Sequence, residues 1–462
     1  MQRAARLHQA GDLPKAVQLY EAILLEQPRD FDALYGLAIA RLQEGQLEDS
    51  LQAVRQALSI NNAFADGWCV QGMLLLRLNQ AQEALSSFNA ALALKPDFIE
   101  ALSRRATVLE QLDQPEEALM SLDHMLKLRP EDAAGWNNRG GILVSLGRVD
   151  EALQSFERCL ALQPHFIEAQ SNRAAMLLHL RRFEDALHAA DAALALRPDH
   201  AVSWNTRGNV LIELRRFKEA VASYDNALAL APELAVAADN RDLALFELGH
   251  LQRCPPGYIR ALFDEFSDEY DHRMLETLGY QAHLHLRSLA YRALPSGKNG
   301  WRILDLGTGT GLVGETFKDI AQGGRLDGID LSPRMIEAAR ARAIYYDLIL
   351  GDIETILHSV GRTYDLVLAA DTMIYFGDLS EILSGVAKRL ETGGFYLFAV
   401  EAKDGEGWEQ TEAKRFRHSE AYLRAAAARA KLNFLELVPC FLRREGDEPV
   451  KGFAMALQQR TL

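Results

Sequence analysis

The pattern of apolar and small positions divides the chain near residue 250. Up to that point the pattern repeats every 34 residues, and the most regular markers are the prolines at positions 28, 96, 130, 164, 198 and 232. Small residues and bulky apolar residues recur with the same period. Small residues allow two helices to approach closely, bulky residues fill the gap between neighbouring hairpins, and proline ends a helix. Each unit is therefore predicted to be a helix-turn-helix hairpin.

This pattern resembles the tetratricopeptide repeat, and it predicts about seven units and a closing helix over residues 1–250. The resemblance implies an all-α solenoid that docks a protein or peptide partner on its concave face. Asn138, Asn172 and Asn240 share one register position, which Thr206 also occupies. Such an asparagine ladder resembles peptide-backbone-binding surfaces in some tetratricopeptide-repeat proteins. Hydrogen bonds between neighbouring helices are the alternative interpretation.

An arginine and an acid vary together along the repeats. Five units carry both, and the acid follows the arginine by 18 residues; the pairs are Arg3 and Glu21, Arg105 and Asp123, Arg139 and Glu157, Arg173 and Asp191, and Arg207 and Asp225. The two units without the arginine also lack the acid. Because a half-buried charge without its partner is costly, we expect an ion pair between the two helices of each hairpin.

Beyond residue 250 the 34-residue period ends. Two helical stretches form a leader over residues 251–300, and short apolar runs then alternate with helices. The predicted strands are 302–306, 325–329, 346–350, 364–369, 394–400, 434–442 and 450–458. Such alternation is typical of a mostly parallel sheet covered on both faces. Residues 301–462 are therefore predicted to form an α/β core with a seven-stranded, Rossmann-like sheet.

A glycine-rich loop gives the sharpest local signal, in the sequence ILDLGTGTGLVGE at residues 303–315. A predicted strand ends in Asp305, and Gly307, Gly309 and Gly311 then turn the chain into a helix. Glycines let the backbone turn tightly and approach a ligand without interference from Cβ atoms. A carboxylate at the end of the strand suits an ammonium group. The loop therefore predicts a nucleotide-binding site.

Acids also end the next two strands. Asp330 has the spacing at which a carboxylate accepts hydrogen bonds from ribose hydroxyls, and Asp352 is placed to reach an adenine edge. A nicotinamide dinucleotide is the alternative ligand, because the loop also satisfies G-x-G-x-x-G and Asp330 would serve that ligand equally well. Asp305, Asp352 and the run of the fourth strand into Asp371 together resemble the successive motifs of class I methyltransferases, which use S-adenosylmethionine.

The resemblance extends to the predicted tetratricopeptide-repeat-containing methyltransferases, through residues 258–280, 371–379, 417–423 and 442–452. It implies contacts to three parts of the cofactor. The methionine part would be held by Asp305, Gly307, Gly309 and Gly311, the ribose by Asp330, and the adenine by Leu331, Met335, Asp352 and Ile353. Thr308 stands within the same loop, where a cysteine is common, and Asp371 is a further candidate contact.

Methyl transfer from a sulfonium is an in-line displacement, so alignment supplies most of the catalysis. A general base matters only where the acceptor arrives protonated, and Asp371, Tyr375 and His418 are the candidates. The alternatives are that Asp371 contacts the cofactor, that Tyr375 packs on it, and that His418 is a solvated residue near a helix start. Tyr270 and Tyr280 are candidate lid residues.

The acceptor has no clear sequence signal. The segment after the fourth strand, AADTMIYF, lacks an N-P-P-Y-like motif, so methylation of nitrogen in DNA or protein glutamine is not favoured. A small molecule or carrier-bound oxygen is the default acceptor. Two other classes of function stay open: an oxidoreductase that binds NAD, and a non-catalytic scaffold with a degenerate methyltransferase fold.

Composition narrows the partners further. A formal net charge of −14 and a pI near 5.4 argue against nucleic-acid and anionic-membrane partners. The four cysteines are scattered and form no C-x-x-C pair, so they are interpreted as packing residues and no metal site is predicted. No apolar run approaches the ~20 residues of a membrane helix, and no signal-peptide core is visible at the start. The chain is therefore predicted to be cytoplasmic.

Overall fold

The computed structural model describes residues 1–359, 361–446 and 448–460. It divides into two units, Met1–Leu214 and Arg215–Leu462. The domain boundary that the repeat pattern places near residue 250 stays a prediction. No helix in the described part of the chain combines the length and apolar character that crossing a membrane requires.

The first unit consists of antiparallel helical hairpins. Its helices are α1 (Gln2–Gln9), α2 (Leu13–Glu26), α3 (Phe31–Glu44), α4 (Leu47–Ile60), α5 (Ala65–Arg77), α6 (Ala81–Leu94), α7 (Ile99–Gln111), α8 (Pro115–Leu128), α9 (Ala133–Ser145), α10 (Val149–Leu162), α11 (Ile167–His179), α12 (Phe183–Leu196) and α13 (Ala201–Glu213). Within one hairpin a small residue packs against a bulky one. A Cβ atom at Gly72 on α5 would lie 2.7 Å from the ring of Phe88 on α6, and Phe88 is fully buried.

The predicted ion pairs within each hairpin are wrong. Each acid instead contacts the arginine of the next unit; the N–O distances are 2.7 Å for Asp123 and Arg139, 3.8 Å for Glu157 and Arg173, and 2.7 Å for Asp191 and Arg207. The second helix of one hairpin lies beside the first helix of the next, which brings these side chains together. Glu21 pairs with Arg41 at 2.6 Å, one helical turn beyond the register position that Leu37 occupies.

A double-mutant cycle distinguishes the two pairings. We expect Arg139→Gln and Asp123→Asn to be coupled by about 0.5 to 1 kcal/mol in the free energy of unfolding, because Arg139 is only partly exposed. The matched cycle of Arg139→Gln with Glu157→Gln should show no coupling beyond error. Urea unfolding of the four single and double variants measures both couplings. Larger coupling to Glu157 would contradict the structure.

The second unit begins with a further hairpin, α14 (Phe217–Leu230) and α15 (Ala235–Glu247). The other helices are α16 (Pro256–Phe266), α17 (Tyr270–His272), α18 (Ala282–Ala293), α19 (Leu312–Phe317), α20 (Pro333–Ala341), α21 (Ile353–Ser359), α22 (Ser380–Arg389) and α23 (Glu420–Arg429). The strands are β1 (Arg302–Leu306), β2 (Arg325–Asp330), β3 (Asp347–Leu350), β4 (Tyr364–Ala369), β5 (Leu390–Ala402), β6 (Trp408–Gln410), β7 (Phe416–His418), β8 (Leu432–Glu445) and β9 (Glu448–Gln459).

The sheet is mostly parallel, as predicted. Its order is β3-β2-β1-β4-β5, and β9 pairs antiparallel with both β5 and β8. The short strands β6 and β7 extend the carboxyl end of β5 and were not predicted, because three residues are too few to show a period. Asp447, in the predicted turn between the last two strands, lies outside the described residues. Strands β1 and β4 are neighbours, so the chain reverses its order there and leaves a crevice at their carboxyl ends.

Candidate functional site

A cavity lies at the carboxyl ends of β1 to β4, under α16. Its free space, counted together with its opening to solvent, is about 710 Å³. The lining residues are Arg253, Cys254, Pro256, Ile259, Phe263, Tyr270, Gly307, Gly309, Asp330, Leu331, Met335, Asp352, Ile353, Ala370, Asp371, Thr372, Tyr375 and Phe376. Nine of the predicted site residues are therefore brought together, and Asp305, Thr308, Gly311 and His418 are not in the wall.

Two glycines form the floor of the cavity. Gly307 and Gly309 have φ angles of +69° and +55°, in the left-handed region that side chains disfavour. A Cβ atom at Gly309 would point into the cavity, where its nearest neighbour is Tyr270 at 3.8 Å. At Gly307 the side chain of Thr372 already fills the space of a Cβ atom. The loop is therefore closely packed behind Gly307 and open in front of Gly309.

Asp330 is held in a fixed orientation. Its Oδ2 accepts a hydrogen bond from the Gly309 amide at 2.7 Å, and its Oδ1 accepts one from the Ser332 amide at 2.9 Å. Burial raises the pKa of Asp330, and the backbone hydrogen bonds oppose that rise. The carboxylate therefore joins the glycine loop to the start of α20, and its remaining lone pairs are available to a ligand in the cavity.

Asp305 lies beneath the loop and is fully buried. Its Oδ2 accepts a hydrogen bond from the Tyr345 hydroxyl at 2.8 Å, whereas Oδ1 has no donor among the residues that the structure describes. Burial raises the pKa of Asp305 to about 7. An unpaired buried carboxylate oxygen is costly, and a cationic group bound above the loop would offset that cost. Thr308 and Gly311 support the same loop from outside the cavity.

Asp371 follows β4 in a strained conformation with a φ of +48°. Its Oδ1 is bonded to Arg443, a side chain only 3% exposed, which also pairs with Glu401. Burial raises the pKa of Asp371, and Arg443 opposes that rise. Two acids thus share one buried guanidinium, which holds Asp371 against the wall of the cavity. Neither Arg443 nor Glu401 was a candidate from the sequence.

Of the remaining candidates, Tyr375 and Tyr270 line the cavity, whereas His418 and Tyr280 lie in the core. His418 is fully buried, its Nε2 is 3.0 Å from the Gly377 carbonyl oxygen, and burial lowers its pKa to about 4. Tyr280 stacks on His283 with ring centroids 5.2 Å apart. The interpretation of His418 as a solvated residue is wrong, because β7 and α23 bury the imidazole.

The segment before the α/β core supplies lining residues that the sequence patterns do not predict. Ile259 and Phe263 lie one helical turn apart on α16, so their face covers the cavity. The spacing of these two residues predicts a helix but does not show which surface the helix covers. Arg253 and Cys254 come from the linker before α16. Burial raises the pKa of the Cys254 thiol to about 12, so the thiol is uncharged at neutral pH.

Comparison with known proteins gives matches in both units. A family profile described as a methyltransferase domain matches residues 303–394. Profiles described as tetratricopeptide repeats match residues 7–68, 69–123, 133–166 and 174–235. These matches confirm the two resemblances drawn from the sequence.

Curated relatives align with about a quarter to a third of this chain. A malonyl-(acyl-carrier protein) O-methyltransferase of Serratia marcescens is 28% identical over 144 residues, which cover 30% of this chain and 54% of that protein. A ubiquinone biosynthesis O-methyltransferase of Idiomarina loihiensis is 28% identical over 115 residues, covering 24% and 46%. An 18S rRNA (guanine-N(7))-methyltransferase of Bos taurus is 30% identical over 119 residues, covering 26% and 41%. The chain spans about half the length of the relatives it matches.

Solved structures also match part of the chain. YrrB, titled a TPR protein with an unusual peptide-binding site, is 24% identical, with a TM-score of 0.37 over 40% of this chain and 95% of that one. PilF of Pseudomonas aeruginosa is 20% identical, with a TM-score of 0.41 over 46% and 97%.

Proposed function

We propose that this chain, which combines tetratricopeptide repeats with a methyltransferase domain, transfers a methyl group from S-adenosylmethionine to an oxygen of a small molecule or a carrier-bound acceptor. In this proposal the repeats dock a protein partner. The main support for this proposal is that Gly309, Asp330, Asp352 and Asp371 all line one cavity. This cavity lies where the strand order of the sheet reverses.

The residues present fit this cofactor. Asp305 lies beneath the loop and not in the cavity wall, and its unpaired Oδ1 has the charge that suits the ammonium of the methionine part. The open face of Gly309 leaves room for the chain that carries this ammonium. Asp330 would accept hydrogen bonds from the ribose, and Met335 and Ile353 would pack on the purine. The bound sulfonium supplies an activated methyl group, and the protein's own task is to align an acceptor with it.

The walls next to Asp371 indicate the kind of acceptor. Tyr270 and Tyr375 have phenols whose pKa is raised by burial, so both stay protonated at neutral pH. Asp371 is committed to Arg443. These three groups orient an acceptor and exclude water more readily than they remove a proton. An oxygen that needs no strong base, such as a carboxylate or an acidic hydroxyl, therefore fits best, and two of the relatives described above are named as O-methyltransferases.

Replacement of Asp330 tests the proposed cofactor. We expect Asp330→Ala to weaken binding of S-adenosylhomocysteine by about 1.5 to 3 kcal/mol, the scale for a hydrogen bond to a charged group. The control is Asp319→Ala, which removes an exposed carboxylate that pairs with Arg287 at 2.5 Å, outside the cavity. Isothermal titration calorimetry measures both affinities. Equal affinity in Asp330→Ala and the native protein would refute the assignment of the ribose site.

A further inference from the structure

The linker between the last repeat hairpin and α16 is part of the cavity wall. We call residues 251–255 the strap. Two backbone hydrogen bonds fix it to the segment after β4: the Cys254 amide donates to the Tyr375 carbonyl oxygen at 2.8 Å, and the Gly377 amide donates to the Gln252 carbonyl oxygen at 2.7 Å. The strap therefore pairs with that segment as a short antiparallel bridge, and its central residue, Arg253, lies opposite Phe376.

Arg253 binds the carboxylate that ends the third strand. Its Nη2 donates to Oδ2 of Asp352 at 3.1 Å, and its Nη1 donates to Oδ1 at 3.4 Å. The same guanidinium pairs with Glu354 and lies over the ring of Phe376, 5.9 Å from the centroid. Such a planar fork fixes the plane of a carboxylate, which a single point charge does not.

We propose that Arg253 is a positioning residue, which orients Asp352 toward the 6-amino group of the cofactor's purine and so sets the purine preference of the site. This inference rests on the proposed function. Arg253 and Asp352 both line the cavity, and the Thr355 amide donates to Oδ1 of Asp352 at 3.2 Å. A carboxylate has about four lone-pair sites, so it can still accept a hydrogen bond from an amine.

Charge supports the same role. Asp352 and Glu354 lie two residues apart and share Arg253 as their cation. Without the guanidinium, two carboxylates would repel each other, and Asp352 would be free to turn toward solvent. Purine selection would thus depend on a residue outside the α/β core.

Two ligands separate this role from a purely structural one. S-adenosylhomocysteine carries the 6-amino group, and S-inosylhomocysteine carries a carbonyl oxygen in its place. We expect the native protein to prefer the first by roughly 10- to 150-fold, the range for a hydrogen bond to a charged group. Arg253→Gln should reduce that preference to less than about 3-fold, and Arg253→Lys, which keeps the charge but not the fork, should give an intermediate value. Equilibrium titration calorimetry on the full chain measures all the affinities.

Arg260→Gln is the matched control, because Arg260 lies on α16, outside the cavity wall, and pairs with Asp239 at 3.2 Å. It should keep the native preference. The inference is overturned if Arg253→Gln keeps the native ratio, whether both affinities are unchanged or both fall together, since that pattern marks a structural role. The Arg253→Lys variant gives the same decision if Arg253→Gln does not fold. A native protein that binds neither ligand would instead refute the proposed function.

Discussion

Gly309→Leu is expected to weaken binding of S-adenosylhomocysteine at least 100-fold while the protein stays folded. The side chain would leave a backbone whose φ is +55° and enter the cavity, where the nearest atom is 3.8 Å away. It would therefore occupy the space that we assign to the cofactor without displacing core atoms. Left-handed backbone costs a leucine roughly 1–2 kcal/mol, which is affordable within a stable domain.

Gly323→Leu is the matched control for that strain. Gly323 has a φ of +76°, its Cβ position has no neighbour within 4 Å, and it lies outside the cavity wall. Both variants should show a similar loss in the free energy of unfolding, and only Gly309→Leu should lose the ligand. Titration calorimetry and urea unfolding give the two quantities. Native affinity in Gly309→Leu would show that the ligand does not lie over this loop.

Phe246→Ala is expected to destabilise the second unit by about 3–5 kcal/mol, the usual cost of removing a buried phenylalanine ring. Phe246 lies in the last turn of α15, is fully buried and packs edge-on against Phe416, with ring centroids 5.8 Å apart. Cys254 of the strap completes this cluster. Next to it, Lys414 pairs with Glu247 at 2.7 Å. The closing helix of the repeats is thus packed into the fold that carries the cavity.

The same register position in an earlier repeat provides the control. Val144 stands three periods before Phe246 and is 40% exposed, so Val144→Ala should cost less than about 1 kcal/mol. Hydrogen exchange in peptides from the strap and β7 measures the opening free energy of the second unit. Unchanged protection in Phe246→Ala would mean that α15 is dispensable for this unit, and the boundary predicted near residue 250 would gain support.

The hairpins and the parallel sheet were predictable because their signals are periodic and local. A period of 34 residues fixes which faces of the helices are small or bulky, and the glycine loop marks the end of β1 by itself. The charge partners were not predictable from the same period. An acid that follows one arginine by 18 residues precedes the next by 16, so both pairings recur in most units. Lateral packing of neighbouring hairpins decides between them, as Asp123 and Arg139 show.

The site was predictable where residues follow strands and not where distant segments meet. Asp330 and Asp352 were found because the carboxyl ends of parallel strands share one edge. Arg253 precedes Asp352 by 99 residues, and no local pattern connects them. His418 was interpreted as a solvated residue near a helix start. Only the tertiary packing of α23 shows that its imidazole is buried.

Titration of the native chain with S-adenosylhomocysteine and, separately, with NAD tests whether the cavity binds a methyl donor. We expect micromolar binding of S-adenosylhomocysteine and no measurable heat with NAD. Binding of NAD alone would show that the glycine loop serves a dinucleotide, and absence of binding by both would favour a scaffold without cofactor chemistry. Either result would contradict the assignment of the cavity to a methyl donor.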